Sequence, residues 1–247
     1  MALEVSLFTV FIAALITALT TGLGALPLAA NRQLNAVWLS VGAAVASGLM
    51  LSASHSLTAE GIGKQEWLTL LGMLAGLAAV YLAHQWIESK GAPDVSELSG
   101  ADAKKALLII GVMTAHSFAE GIGVGVSYGG GQDLGVFITA AIAVHNVPEG
   151  LAIALVLVPR GMSVTKAAGW AIFSSLPQPV MAIPAYLFVS TFKPFLPFGL
   201  GLAAGAMIWM VFAELLPDAN KKLKPESVGA LVLLAFLAML VFQILIH

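Results

Sequence analysis

Cysteine is absent from the 247 residues, which excludes a disulfide scaffold and any thiolate metal site. A metal held by this chain must take histidine, carboxylate, methionine or amide ligands. Charge is nearly as scarce. Charged residues make up 10% of the chain and apolar residues 59%, with a mean hydropathy of +0.96, whereas a soluble domain is about 25% charged. Such a chain cannot cover its surface with solvated side chains, so a soluble globular domain is excluded. The net charge of -2, with no long run of Lys or Arg, leaves no electrostatic footprint for nucleic acid. The first four residues, Met1 to Glu4, lack the positive segment of a cleaved signal, and the apolar run after them is too long for one. A retained membrane span is expected there.

What the chain has in quantity is long apolar runs. A spanning helix needs about 20 mostly apolar residues. Cutting at polar or Pro/Gly-rich breaks gives eight candidates, at about 4–30, 36–58, 66–89, 104–128, 133–158, 164–191, 194–216 and 227–246. The connections are short, so residues 1–247 read as one polytopic domain in a lipid bilayer, an all-α integral membrane protein. With the N-terminus outside, nine Lys/Arg fall inside and two, Lys64 and Lys193, outside. The positive-inside rule then puts both termini on the exterior face, most simply of a bacterial inner membrane.

There is an internal echo. Ala44–Met50 (AVASGLM) aligns without gaps with Gly201–Met207 (GLAAGAM). The second span runs outward and the seventh inward, which suits an inverted repeat of spans 1–3 and 6–8 around a central pair. Small residues recurring in packed membrane helices are the alternative explanation.

Spans 4 and 5 carry the chemistry: HSFAEGIGVGV from His116 and HNVPEGLAIAL from His145. His and Glu four apart share one helix face. Ionisable side chains inside a span are costly unless paired, hydrated or metal-bound. His116, Glu120, His145 and Glu149, from two antiparallel helices, can converge on one divalent cation, and mixed imidazole and carboxylate ligands suit zinc. A proton relay or a pair that merely joins two helices is the simpler reading of either motif alone; the duplication favours metal. Iron, manganese and cadmium are further divalent candidates. The other reading is an intramembrane metal-dependent enzyme using the same centre. However, the HExxH motif of a metalloprotease is absent and spans 4 and 5 lack the Glu-x-x-His of di-iron helices.

The paired HxxxEG segments, the eight spans and the AELLPDA ending of span 7 resemble the ZIP (Zrt/Irt-like) divalent-metal transporters, particularly their short GufA-like branch. The resemblance implies a three, two, three arrangement of helices, a homodimer, and movement of zinc or related ions toward the cytoplasm. It also implies that His116, Glu120, His145 and Glu149 are the principal ligands, with Met50 as a thioether ligand. A second metal position, polar or acidic in the family, here holds neutral Ser117, Asn146 and Gln178. Ala119 replaces a proline of the fourth-span motif, and the loop from Lys90 to Ala103 has no histidine.

Other polar residues sit near span ends. His55 with Glu60, and Glu214 with Asp218, could mark the outer and inner mouths of an ion path, or simply reach interfacial water. His84 and Glu88 form a third HxxxE, beside Trp86 and Lys90, and read as interfacial. Pro177, Pro179 and Pro184 make span 6 the expected broken helix.

Overall fold

In a computed structural model the described residues are 5–30, 37–89 and 103–246, and they form helices with no strand among them. The first span is α1 (Leu7–Thr21), a 3₁₀ turn Gly22–Ala25 and the short α2 (Pro27–Ala30). Then come α3 (Val37–Lys64), α4 (Glu66–Glu88), α5 (Ala103–Gly130) and α6 (Gln132–Leu157). The sixth span is α7 (Val164–Ser175) with α8 (Pro177–Thr191), the seventh is α9 (Leu196–Met210), a π-helical segment Val211–Leu215 and α10 (Leu216–Asn220), and the last is α11 (Pro225–Ile246). Seven segments among the described residues are long and apolar enough to cross a membrane, and the remaining expected span, the fourth, coincides with α5. The termini, Arg32 and Lys90 lie outside the described residues.

Local chemistry sets the ends and the breaks. Ser6 caps α1 by accepting from the Thr9 amide, and Ser163 caps α7 by accepting from the Lys166 amide. α5 and α6 are joined through Gly131 alone, at φ 138°, a conformation closed to most L side chains. The second span runs past its expected end to Lys64, and its last turn carries a Glu60–Lys64 pair at 2.9 Å. Span 6 breaks at Leu176, where Pro177 and Pro179 withdraw two backbone donors. α6 carries Pro148 without a break.

Burial sorts the helices into centre and periphery. Buried residues make up 61% of the apolar windows of α3, of α6 and of the α9 span, but 17% of those of α4 and α11. The large apolar side chains left exposed, such as Trp67, Leu74, Leu234 and Leu245, belong to those outer helices, as expected where hydrocarbon is the solvent.

The packing has a regular pattern. α4 packs on α9 and α11 on α3; α8 packs on α5 and α1 on α6; α3 touches α6 and α9 touches α5. These pairs map onto one another when spans 1, 2, 3 and 4 are exchanged for 6, 7, 8 and 5. The glycines of the internal echo obey the same exchange. A Cβ on Gly48 would sit 2.3 Å from the Val232 carbonyl oxygen on α11, and one on Gly205 would sit 2.1 Å from the Met73 carbonyl oxygen on α4. Each glycine therefore lets two helix backbones touch.

Candidate metal centre

The HxxxE spacing puts each His and Glu on one face of its helix but about 6 Å apart along the axis. α5 and α6 are antiparallel neighbours, so each His lies opposite the other helix's Glu. The structure follows this rule at His145. His145 Nε2 is 3.3 Å from Glu120 Oε1, and one ligand atom from each of Glu120, His145 and Glu149 lies within 4.8 Å of the others. All three are buried, Glu120 completely.

His116 sits one turn away on α5 and is drawn elsewhere. Its Nε2 is 2.7 Å from Glu214 Oε2, and the other oxygen, Oε1, is 3.2 Å from His84 Nδ1. His84 is also stacked edge-on to Trp209, with ring centroids 5.1 Å apart. A cavity of about 60 Å³ joins the two groups, lined among others by His116, His145, Glu149, Glu214 and Asp218. The expected quartet is thus divided: three members form one buried group, and the fourth bridges to Glu214 across a shared cavity.

The buried group is rich in acceptors and poor in donors. Glu120 Oε1, both carboxylate oxygens of Glu149, Asn146 Oδ1, Ser117 Oγ and His145 Nδ1 are buried with no hydrogen-bond partner; the 3.3 Å approach of His145 to Glu120 lacks hydrogen-bond geometry. Buried polar atoms are almost always satisfied. Several carboxylate oxygens left without donors in one place have the chemistry of a cation site.

The three neutral residues beside the group are hydrogen-bonded around it or buried against it. Gln178 Nε2 donates to Glu120 Oε2 at 2.6 Å. Asn146 Nδ2 donates to the Thr17 carbonyl at 2.8 Å and to Gln178 Oε1 at 3.2 Å, and the Thr17 hydroxyl is 2.5 Å from Gln178 Oε1. Ser117 is fully buried.

The remaining expected residues belong to α3. Met50 is buried on α3 in the apolar core that also contains Met207. His55 stays exposed, edge-on to Phe236 at 6.4 Å, and Glu60 is engaged by Lys64. Sequence reasoning misses two participants. The spacing along α4 does not reveal that His84 reaches Glu214. Thr17 has no motif around it. The π segment that displays Glu214 does carry a signal: Pro217 cannot donate to the carbonyl of Ala213, and the widened turn accommodates its ring.

A bundle of membrane-length apolar helices enclosing a buried His/carboxylate group defines an integral membrane protein with the chemistry to hold a cation. The sequence profile of the ZIP Zinc transporter family matches residues 84–241. At3g08650 of Arabidopsis thaliana, provisionally named a zinc transporter, is 47% identical over 231 residues, which cover 92% of this chain and 37% of that protein. The zinc transporter GufA of Myxococcus xanthus is 32% identical over 123 residues, covering 49% of this chain and 48% of its own length. The zinc transporter ZupT of Streptococcus mutans is 28% identical over 234 residues, 87% of this chain and 89% of its own length. The chain therefore spans under half the length of the first two of these relatives and most of the third. It belongs to the ZIP zinc transporter family.

Proposed function

We propose that this chain carries a divalent transition metal, zinc before iron, manganese or cadmium, across the membrane toward the cytoplasm. The observation that carries the reading is the group of unpaired carboxylate oxygens of Glu120 and Glu149 beside His145. An incoming ion sheds its water and these ligands replace it. The two carboxylates neutralise its charge, and the imidazole favours zinc over magnesium. His116 completes the shell by turning from Glu214, and Met50 is the optional thioether. The cavity toward Glu214 and Asp218 is the inward path, with His84 beside it, and His55 and Glu60 mark the outer side. In this reading the site lies at mid-membrane in one polytopic domain with both termini outside, assembled as a homodimer. The exchange symmetry of the helix contacts supports a three, two, three architecture with inverted repeats, in which the repeats rock to expose the site to either side.

The test is uptake of zinc into vesicles containing purified protein, compared with metal-dependent turnover of lipid or peptide substrates. Uptake lost in Glu149→Ala supports transport. Turnover without uptake would favour the enzyme, against which the names of the relatives already weigh.

A further inference from the structure

Gln178 occupies the break of the sixth span, at the first turn of α8, and is wholly buried. Its orientation is fixed by its partners. A carboxylate cannot donate, so the amide nitrogen faces Glu120 Oε2 and the amide oxygen faces Asn146 Nδ2 and the Thr17 hydroxyl. The backbone brings it there: a Cβ on Gly121, the residue after Glu120, would lie 2.5 Å from the Gln178 carbonyl oxygen. One oxygen of Glu120 is therefore taken by a neutral donor. Glu120 Oε1 and both oxygens of Glu149 remain free for a cation beside His145.

Charge decides how many cations that centre can hold. Glu120 and Glu149 balance one divalent ion. A second would leave two uncompensated positive charges among buried side chains, which is costly. Thr17, Ser117, Asn146 and Gln178 offer dipoles but no charge. Glu214, across the shared cavity, is engaged by His84 and His116.

Resting on the metal-transport reading above, we propose that the neutrality of Gln178 keeps the centre mononuclear: an amide stands against Glu120 where a further carboxylate would be needed to help balance a second ion. The same amide holds Glu120 so that a single oxygen faces His145 and Glu149. Thr17 and Asn146 hold the amide in turn, which ties the metal centre to α1.

Equilibrium zinc counting on the purified full chain tests this, in the unmodified protein, Gln178→Glu and Gln178→Leu. The unmodified protein is expected to bind one ion per chain at micromolar free zinc. Gln178→Glu adds one negative charge and a ligand, which halves the deficit, and should bind two. Gln178→Leu removes the amide without adding charge and should still bind one, which separates charge from simple plugging. Two ions in the unmodified protein would overturn the proposal and leave the metal-transport reading standing. No bound zinc would overturn that reading and this one with it. Two ions in Gln178→Leu, or one in a folded Gln178→Glu, would also refute the role given to charge. If either variant fails to fold, the ion count of the unmodified protein still decides between one ion and two.

Discussion

Among the described glycines the tightest approach is at Gly150, beside the proposed ligand Glu149. A Cβ placed there would be 1.7 Å from the Thr21 carbonyl oxygen and 2.7 Å from its carbon. Both atoms are backbone, so no side chain can swing away. To bring the closest contact out to 3.0 Å, Gly150→Ala must part α6 and α1 by about 1.3 Å in a close-packed interior. Overpacking of this kind costs about 1–3 kcal/mol, and the contact here stands at the severe end. α1 also carries Thr17, whose carbonyl accepts from Asn146 at 2.8 Å; moving it that far breaks the bond and loses about 1 kcal/mol more. Helix propensity returns about 1 kcal/mol, because alanine is the better helix former. The net loss is about 3 kcal/mol, or roughly 6–12 °C in melting temperature for a chain of this length. Thermal unfolding in detergent measures it, with Gly169→Ala as control, since a Cβ at Gly169 meets nothing within 4 Å. Zinc uptake should fall by at least about tenfold, because Glu149 is displaced with its neighbour. A Gly150→Ala protein that melts with the control and transports normally would refute the packing argument.

Three further expectations concern the centre and its surroundings. Glu149→Gln removes a buried carboxylate with two unpaired oxygens, so the metal-free protein should melt higher while uptake is nearly abolished; a lower melting temperature would show that the carboxylate is satisfied. Ligand imidazole must be neutral to bind, so zinc affinity should fall between about pH 8 and about pH 5.5; a flat profile would argue against histidine ligation. The cysteine-free sequence allows single-cysteine labelling: Lys193→Cys should react with an impermeant thiol reagent from outside and Lys222→Cys should not, and the reverse would invert the topology.

How much of this is legible in the sequence depends on the range of the forces involved. Hydrocarbon solvation acts on every residue of a span, so apolar runs locate the helices to within a few residues, with α3 overrunning into a last turn that carries the local pair of Glu60 and Lys64. Proline acts within one turn, so the break at Leu176 can be read from Pro177 and Pro179. The duplicated HxxxEG identifies Glu120, His145 and Glu149 as neighbours. It does not tell that His116 turns to Glu214, because that choice depends on where α9 and its π segment pack. His84 escapes for the same reason: spacing along α4 suggests Glu88, and only the packing of α4 on α9 brings Glu214 to it. Thr17 is illegible because a lone threonine in an apolar helix has no pattern to betray it.

The glycine after each glutamate explains why the motif is HxxxEG rather than HxxxE. A carboxylate buried in the proposed ion site needs neighbours close enough to fix its position, and the closest neighbour a helix can have is another backbone. Gly121 supplies that on α5 by admitting the Gln178 carbonyl of α8, and Gly150 supplies it on α6 by admitting the Thr21 carbonyl of α1. The two contacts are equivalent under the exchange of spans that relates the rest of the packing. Both fall where a span departs from regular α-helix: the 3₁₀ turn begins at Gly22, just after Thr21, and α8 restarts at Pro177, just before Gln178. Ligand, packing glycine and helix break thus recur as one unit on each side of the centre. The halves differ in what the break contributes. The first span offers the Thr17 carbonyl and hydroxyl, whereas the sixth offers an amide that reaches Glu120 itself.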